Sequence, residues 1–339
     1  MTFFLNHPAK SALRPRLLLA GLLGMALLVL PTPELAQAGV FDFLVGGREN
    51  RGGRASNRQQ GGGVRSGRLV GGFDATVPYI ITPRNTFQTS DQFTIRWNPV
   101  AGAERYTVRL WQWQDANGGR ERVVWETTTP ESSVLYEGDP PLAPELFYSV
   151  EVITDQGVSS DSDAGCAIAG FAVLFPETRS RLEADLASLN DLTLSPEEQA
   201  LATAQIYLAY QMLNAAIDSL AAQAALVPTA TLALALGDLY SFAGLNSLAA
   251  EQYTLALELA GDDNLWQAIA LEGLGELEVV QNNLAAALPQ LRQAQLSYAL
   301  ANNSTRANQL KRRIELLEKA QQLNIAPTDT PDLCTAPIQ

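Results

Sequence analysis

Apolar and polar side chains alternate with a period of two between Tyr79 and Leu174, and with a helical period from Glu177 onward. The first region predicts seven short strands, at 79–82, 92–97, 106–112, 123–126, 133–136, 147–154 and 166–174. Between them stand Asn117-Gly118-Gly119, Gly138-Asp139-Pro140-Pro141 and Asp155-Gln156-Gly157, whose residues supply positive φ or fix a turn. Short strands at this spacing pack as an all-β sandwich. The clearest helical stretch is 234–260. Leu236, Leu239, Tyr240 and Ala243 fall on one stripe, and Ala249, Tyr253, Ala256 and Leu257 on another. Gly244 separates them, and Asn246 is placed to cap the second helix. Gly237 and Ala249 are small enough for close backbone approach, with Tyr240 and Tyr253 filling the space beside them. The predicted unit is a packed helical hairpin.

Leu236, Gly237, Tyr240, Ala249, Tyr253 and Ala256 resemble the tetratricopeptide repeat, a helix pair of about 34 residues. With a four-residue insertion the register recurs at Leu274, Gly275, Asn282, Ala287, Leu291 and Ala294, although Glu278 stands where an aromatic is usual. An upstream copy runs through Ala204, Tyr207, Ala216, Leu220 and Pro228, without a glycine at its small position. The resemblance implies a solenoid that serves as an interaction surface. Pro289 fits badly, because an interior proline requires the helix to start later or bend. The helix at 304–323 carries Ala307, Leu310, Ile314 and Leu317 on one stripe with basic residues around it, as expected of a cap that closes a repeat stack. In the strand region, TIRWNPVAGAERYTVRL and LAPELFYSVEV resemble a fibronectin type III domain. Leu142, Pro144, Tyr148, Val150 and Val152 carry the spacing of its tyrosine corner, which implies that Trp97, Tyr106 and Tyr148 are core residues.

The chain ends modify this picture. Lys10, Arg14 and Arg16 precede an apolar run from Leu17 to Leu30, and Ala36-Gln37-Ala38 follows, which predicts an export signal peptide cleaved after Ala38. No cysteine follows the cleavage site, so a lipoprotein anchor is not expected. From Leu44 to Gly72 the chain is glycine-rich and holds six arginines and one acid, Glu49. This reads as a disordered arm, either a spacer or an anchor to an anionic surface; nucleic acid is not expected as a partner of an exported chain. The organisation is therefore multidomain, all-β plus all-α: signal peptide 1–38, Arg/Gly linker 39–72, seven-stranded immunoglobulin/fibronectin-like sandwich 73–176, tetratricopeptide-like α-helical-hairpin solenoid with a capping helix 177–325, and Pro-rich tail 326–339.

Cleavage leaves 20 basic and 35 acidic side chains and removes His7, the only histidine. Triads, Cys-His pairs and His-ligated metals are thereby excluded from the mature chain. Lys311 and Lys319 are its only lysines and neither follows a glycine-rich loop, so there is no P-loop. A non-enzymatic protein without cofactor or metal is expected. Asp161 and Asp163 flank a serine but lack the remainder of a calcium loop. Cys166 and Cys334, the only cysteines, are expected to form one disulfide in an oxidising compartment, with two free thiols or an intermolecular bridge as the alternatives.

Two surfaces are candidates for binding. Between Arg181 and Arg292 lie fourteen acids and no lysine or arginine. Asp238, Glu272, Glu276 and Glu278 sit on first helices of the hairpins, where a solenoid presents its concave face, and a groove for a basic segment is expected there. That segment is either part of another envelope protein or the molecule's own arm; alternatively the acids only maintain solubility. Trp111, Trp113 and Trp125 form the second candidate, a platform for glycan or protein unless other parts of the chain cover it.

Overall fold

The computed structural model describes residues 71–113, 120–144, 146–163 and 170–324. The signal peptide, nearly all of the Arg/Gly arm, Cys166, Cys334 and the tail lie outside the described residues. A β region is followed by a helical one. The strands are β1 (Ile80–Thr82), β2 (Thr86–Gln88), β3 (Phe93–Trp97), β4 (Tyr106–Trp113), β5 (Arg120–Thr129), β6 (Ser133–Tyr136), β7 (Phe147–Thr154) and β8 (Gly170–Val173). The helices are α1 (Pro176–Ser188), α2 (Pro196–Ala209), α3 (Leu213–Leu226), α4 (Ala230–Phe242), α5 (Asn246–Leu259), α6 (Asn264–Val280), α7 (Leu284–Leu300) and α8 (Ser304–Leu323).

One sheet orders β1-β3-β6 and the other β2-β8-β7-β4-β5. Strand alternation builds their shared core: on β3, Phe93, Ile95 and Trp97 are buried while Thr94 and Arg96 face out. Aromatic rings bridge the sheets, Phe93 to Phe171 at 4.8 Å and Trp97 to Tyr106 at 5.3 Å between centroids. The Tyr148 hydroxyl accepts from the Ala143 amide at 2.9 Å, and that of Tyr106 from the Val100 amide at 2.9 Å, so both tyrosines pin loops to the core. Among the described residues eight strands form rather than seven. The additional one, β2, is three residues long and pairs in parallel with β8, 85 positions downstream at Thr86↔Phe171, so no local alternation announces it.

Turns of three residues, 210–212, 243–245 and 281–283, join α2 to α3, α4 to α5 and α6 to α7, which makes each pair an antiparallel hairpin. All three turns use one device. A residue at positive φ (Gln211, Gly244, Asn282) lets the next amide return to a carbonyl five residues back: Met212 to Tyr207, Leu245 to Tyr240 and Asn283 to Glu278, at 2.8–2.9 Å. Starts are capped by Ser195 with Glu198 in a capping box, Thr229, Asp263, Asn283 and Asn303. Asn246 does not cap α5; it is the first helical residue and its side chain is used elsewhere. Pro289 neither delays nor ends α7, which runs through it. With no N–H to offer the Ala285 carbonyl, Pro289 weakens that turn, and Pro289→Ala is expected to raise stability by up to about 3 kcal/mol, read as a higher denaturant midpoint at unchanged m-value. Among the described residues no helix is long and apolar enough to cross a membrane.

The two regions are joined through β1 and the loop after it. Alternation places Ile80 in the core between the sheets, whereas Tyr79 and Ile81 pack into the helical core. Arg84, 2% exposed, donates through Nε to the Ala243 carbonyl at 2.7 Å, through Nη1 to that of Ile80 at 3.0 Å and through Nη2 to Asp163 at 3.3 Å. Burial holds its guanidinium below the ordinary value, and Asp163 opposes that shift. The Asn214 side chain accepts from the Arg84 amide at 3.0 Å and donates to the Ile81 carbonyl at 3.3 Å. The Phe87 amide donates to the Gln211 carbonyl at 3.1 Å. The hairpin turns of the helical region are thus the surface on which the first β loop is seated.

Candidate functional site

The predicted acidic positions occupy two successive first helices, Asp238 on α4 and Glu272, Glu276 and Glu278 on α6. Asp238 on α4 is 4% exposed and accepts from the Tyr253 hydroxyl at 2.6 Å. The Tyr253 ring lies between two glycines: a Cβ added to Gly237 of α4 would stand 2.8 Å from it, and one added to Gly273 of α6 would stand 2.7 Å away. A tyrosine of a second helix therefore fills the seam between two consecutive first helices and carries its hydroxyl to Asp238. Glu272, also 4% exposed, accepts from the Tyr298 hydroxyl at 2.7 Å, from Arg306 Nε at 3.1 Å and from Arg306 Nη2. Glu276 accepts from Nε and Nη2 of Arg313, each at 3.3 Å, and Glu278 accepts from Asn283 Nδ2 at 2.7 Å.

These positions differ from a lining of unpaired acids. No base stands between Arg181 and Arg292, yet bases from outside that window reach in: Arg306 and Arg313 from α8, and Arg96 from β3 onto Asp218 at 2.8 Å. A count along the chain misses them because pairing is spatial. Asp238 and Glu272 are buried parts of the stack, while Glu276 and Glu278 stay partly exposed.

The tryptophans do not form one platform. Trp111 and Trp113 share the outward face of β4, both half-buried. Trp111 donates to Glu151 Oε2 at 2.9 Å and Trp113 to Ser149 Oγ at 2.8 Å. The Arg120 guanidinium lies 5.4 Å from the Trp111 ring centroid and is itself held by both oxygens of Asp161. Trp125 turns the other way. A bulge after Leu110 sets Leu110 opposite Trp125, so Trp125 faces the core and packs edge-on against Tyr136 at 5.3 Å. Asp161 and Asp163, the weak calcium pair, are bound to Arg120 and Arg84. Among the described residues no three His, Cys, Asp or Glu side chains stand together as metal ligands.

No family model and no curated protein sequence matches the chain. Arg84, Asn214 and Gly273 were not singled out by the pattern of residues, and Asn246 was singled out only as a cap. Arg84 follows Pro83 in a stretch without periodicity, and its acceptors at 243 and 244 are 159 and 160 positions away. Gly273 had a legible signal, a second glycine two positions before Gly275 in the same helix.

Proposed function

We propose that the protein is a non-enzymatic, exported interaction scaffold of the cell envelope, in which a fibronectin type III-like sandwich supports a tetratricopeptide-like stack that binds a basic protein segment. One observation carries this reading: Arg306 and Arg313 of α8 sit on Glu272 and Glu276, so the first-helix face already accepts guanidinium groups presented by an adjoining segment. The three recurrent hairpin turns support the repeat character, and the two loops pinned by Tyr106 and Tyr148 support the sandwich. On the tryptophan face the indole N–H groups are used internally and Arg120 lies over Trp111, which leaves the glycan reading without a free stacking pair.

The test is capture of envelope proteins on the immobilised mature protein, followed by titration with each captured protein in purified form. Saturable binding that weakens as salt rises and falls with Glu276→Gln and Glu278→Gln is the expected result. Binding that ignores salt and both substitutions, or retention by insoluble cell-wall polysaccharide alone, overturns the proposal.

A further inference from the structure

The described chain begins at a fixed place on the helical stack. The Gly71 carbonyl accepts from Asn246 Nδ2 at 3.0 Å and from the Asn246 amide at 3.4 Å. The Gly72 amide donates to Asp163 Oδ1 at 2.9 Å, and the Gly72 carbonyl accepts from the Ser247 amide at 3.1 Å. Gly72 has φ +60°, and a Cβ there would stand 3.0 Å from the Gly244 carbonyl oxygen and the Leu245 Cα, so only glycine passes this close. Whatever precedes Gly71 is therefore delivered to the C-terminal end of α4, the helix that carries Asp238.

Helix α4 is buried on two sides. Leu236, Leu239 and Ala243 form one buried stripe; Leu234, Asp238 and Ser241 form another, roughly opposite at 100° per residue. This second stripe is polar at two of its three positions. The Ser241 hydroxyl is 98% buried by residue exposure and has no hydrogen-bond partner among the described residues. Asp238 lies six residues before Gly244, an axial rise of about 9 Å, and Arg68 lies three residues before Gly71, an extended reach of about 10 Å. The segment 44–70 carries six arginines against Glu49, while the helical block from 182 to 291 contains no base.

We propose that the Arg/Gly segment 44–70 is an intramolecular ligand of the stack: it runs back from Gly71 along the Leu234–Asp238–Ser241 stripe of α4 toward α6, with Arg68 directed at Asp238, the one carboxylate of that stripe, and Arg65 beyond it. The segment then competes with any external basic partner for the same face. This rests on the scaffold reading only for that competition; the docking itself does not depend on it.

Hydrogen exchange of the full mature chain tests the docking. Amides of residues 60–70 are expected to exchange on the order of tenfold more slowly than in a synthetic peptide of residues 44–70, and to reach the peptide's rate in Arg65→Ser/Arg68→Ser and in 1 M salt. Far-UV circular dichroism of the double variant is expected to match that of the parent, which reads folding separately from docking, and Asp238→Asn is expected to release the same segment. Exchange of residues 60–70 at the peptide's rate in the unaltered chain overturns the proposal, whether or not a partner binds. Absence of any partner for both proteins, with residues 60–70 still protected, refutes the scaffold reading and leaves the docked arm standing.

Discussion

Replacing Arg84 by alanine is expected to cost roughly 3–5 kcal/mol, the largest loss from any single polar side chain at the junction. The side chain is 2% exposed and its partner Asp163 has a side chain only 10% exposed, so truncation leaves a carboxylate in a poor solvent without its cation. The carbonyls of Ile80, Ala243 and Gly244 lose a donor at the same time. Since these acceptors belong to both regions, urea unfolding followed by far-UV circular dichroism and by tryptophan fluorescence is expected to change from one transition to two. Arg84→Ala combined with Asp163→Asn should recover part of the loss, because the stranded charge is gone. A single transition at an unshifted midpoint for Arg84→Ala would show that the junction is held by its other contacts, Tyr79 and Ile81 in the helical core and the bonds of Asn214 and Phe87.

Tyr253→Ala is the second large effect, about 3–5 kcal/mol. The ring fills a seam whose walls are the backbones of Gly237 and Gly273, and rigid helix backbone cannot collapse into the space left behind. Tyr253→Phe keeps the ring and removes only the hydroxyl donated to buried Asp238, so a smaller loss of roughly 1.5–3 kcal/mol is expected. The walls are testable in the opposite sense. Alanine favours a helix over glycine by about 1 kcal/mol, but a Cβ at 2.7 Å from the ring overpacks the seam, so Gly273→Ala should destabilise by about 1–2 kcal/mol net. Thermal melts of the three variants, ranked Ala below Phe at 253 and with Gly273→Ala below the parent, check the geometry; a stabilised Gly273→Ala would mean that the ring does not lie against α6.

Much of the architecture was legible because it is local. The alternation on β3 and the stripe on α4 are recorded in the residues that form them, and the tyrosine spacing at Leu142–Val152 pointed to the hydroxyl that accepts from Ala143. The features that escaped are relations between distant residues. β2 has only three residues and exists because β8 supplies its ladder. Gln211 takes the left-handed conformation at φ 58° without being a glycine, so the turn of the first hairpin carries no signal like Gly244. Trp125 is grouped with Trp111 and Trp113 as one platform because the three fall on adjacent strands, and the bulge after Leu110 turns it to the core instead. For the acidic positions the residues and helices were correctly placed in the chain, but the bases that meet Glu272 and Glu276 come from α8, beyond the window in which charges were compared.

The reach of Arg84 bears on the order in which the molecule is completed. During synthesis β1 and its loop emerge early, but Asn214 follows by 130 residues and the Ala243 carbonyl by 159. Until then Tyr79 and Ile81 have no apolar core to enter and the guanidinium of Arg84 keeps its water. The first-made strand is thus among the last to be locked, and a nascent chain halted before α4 holds an open edge of exposed aromatic and aliphatic side chains. A chaperone that waits on this protein has most to cover at its beginning, and can release it only once the second hairpin has been made.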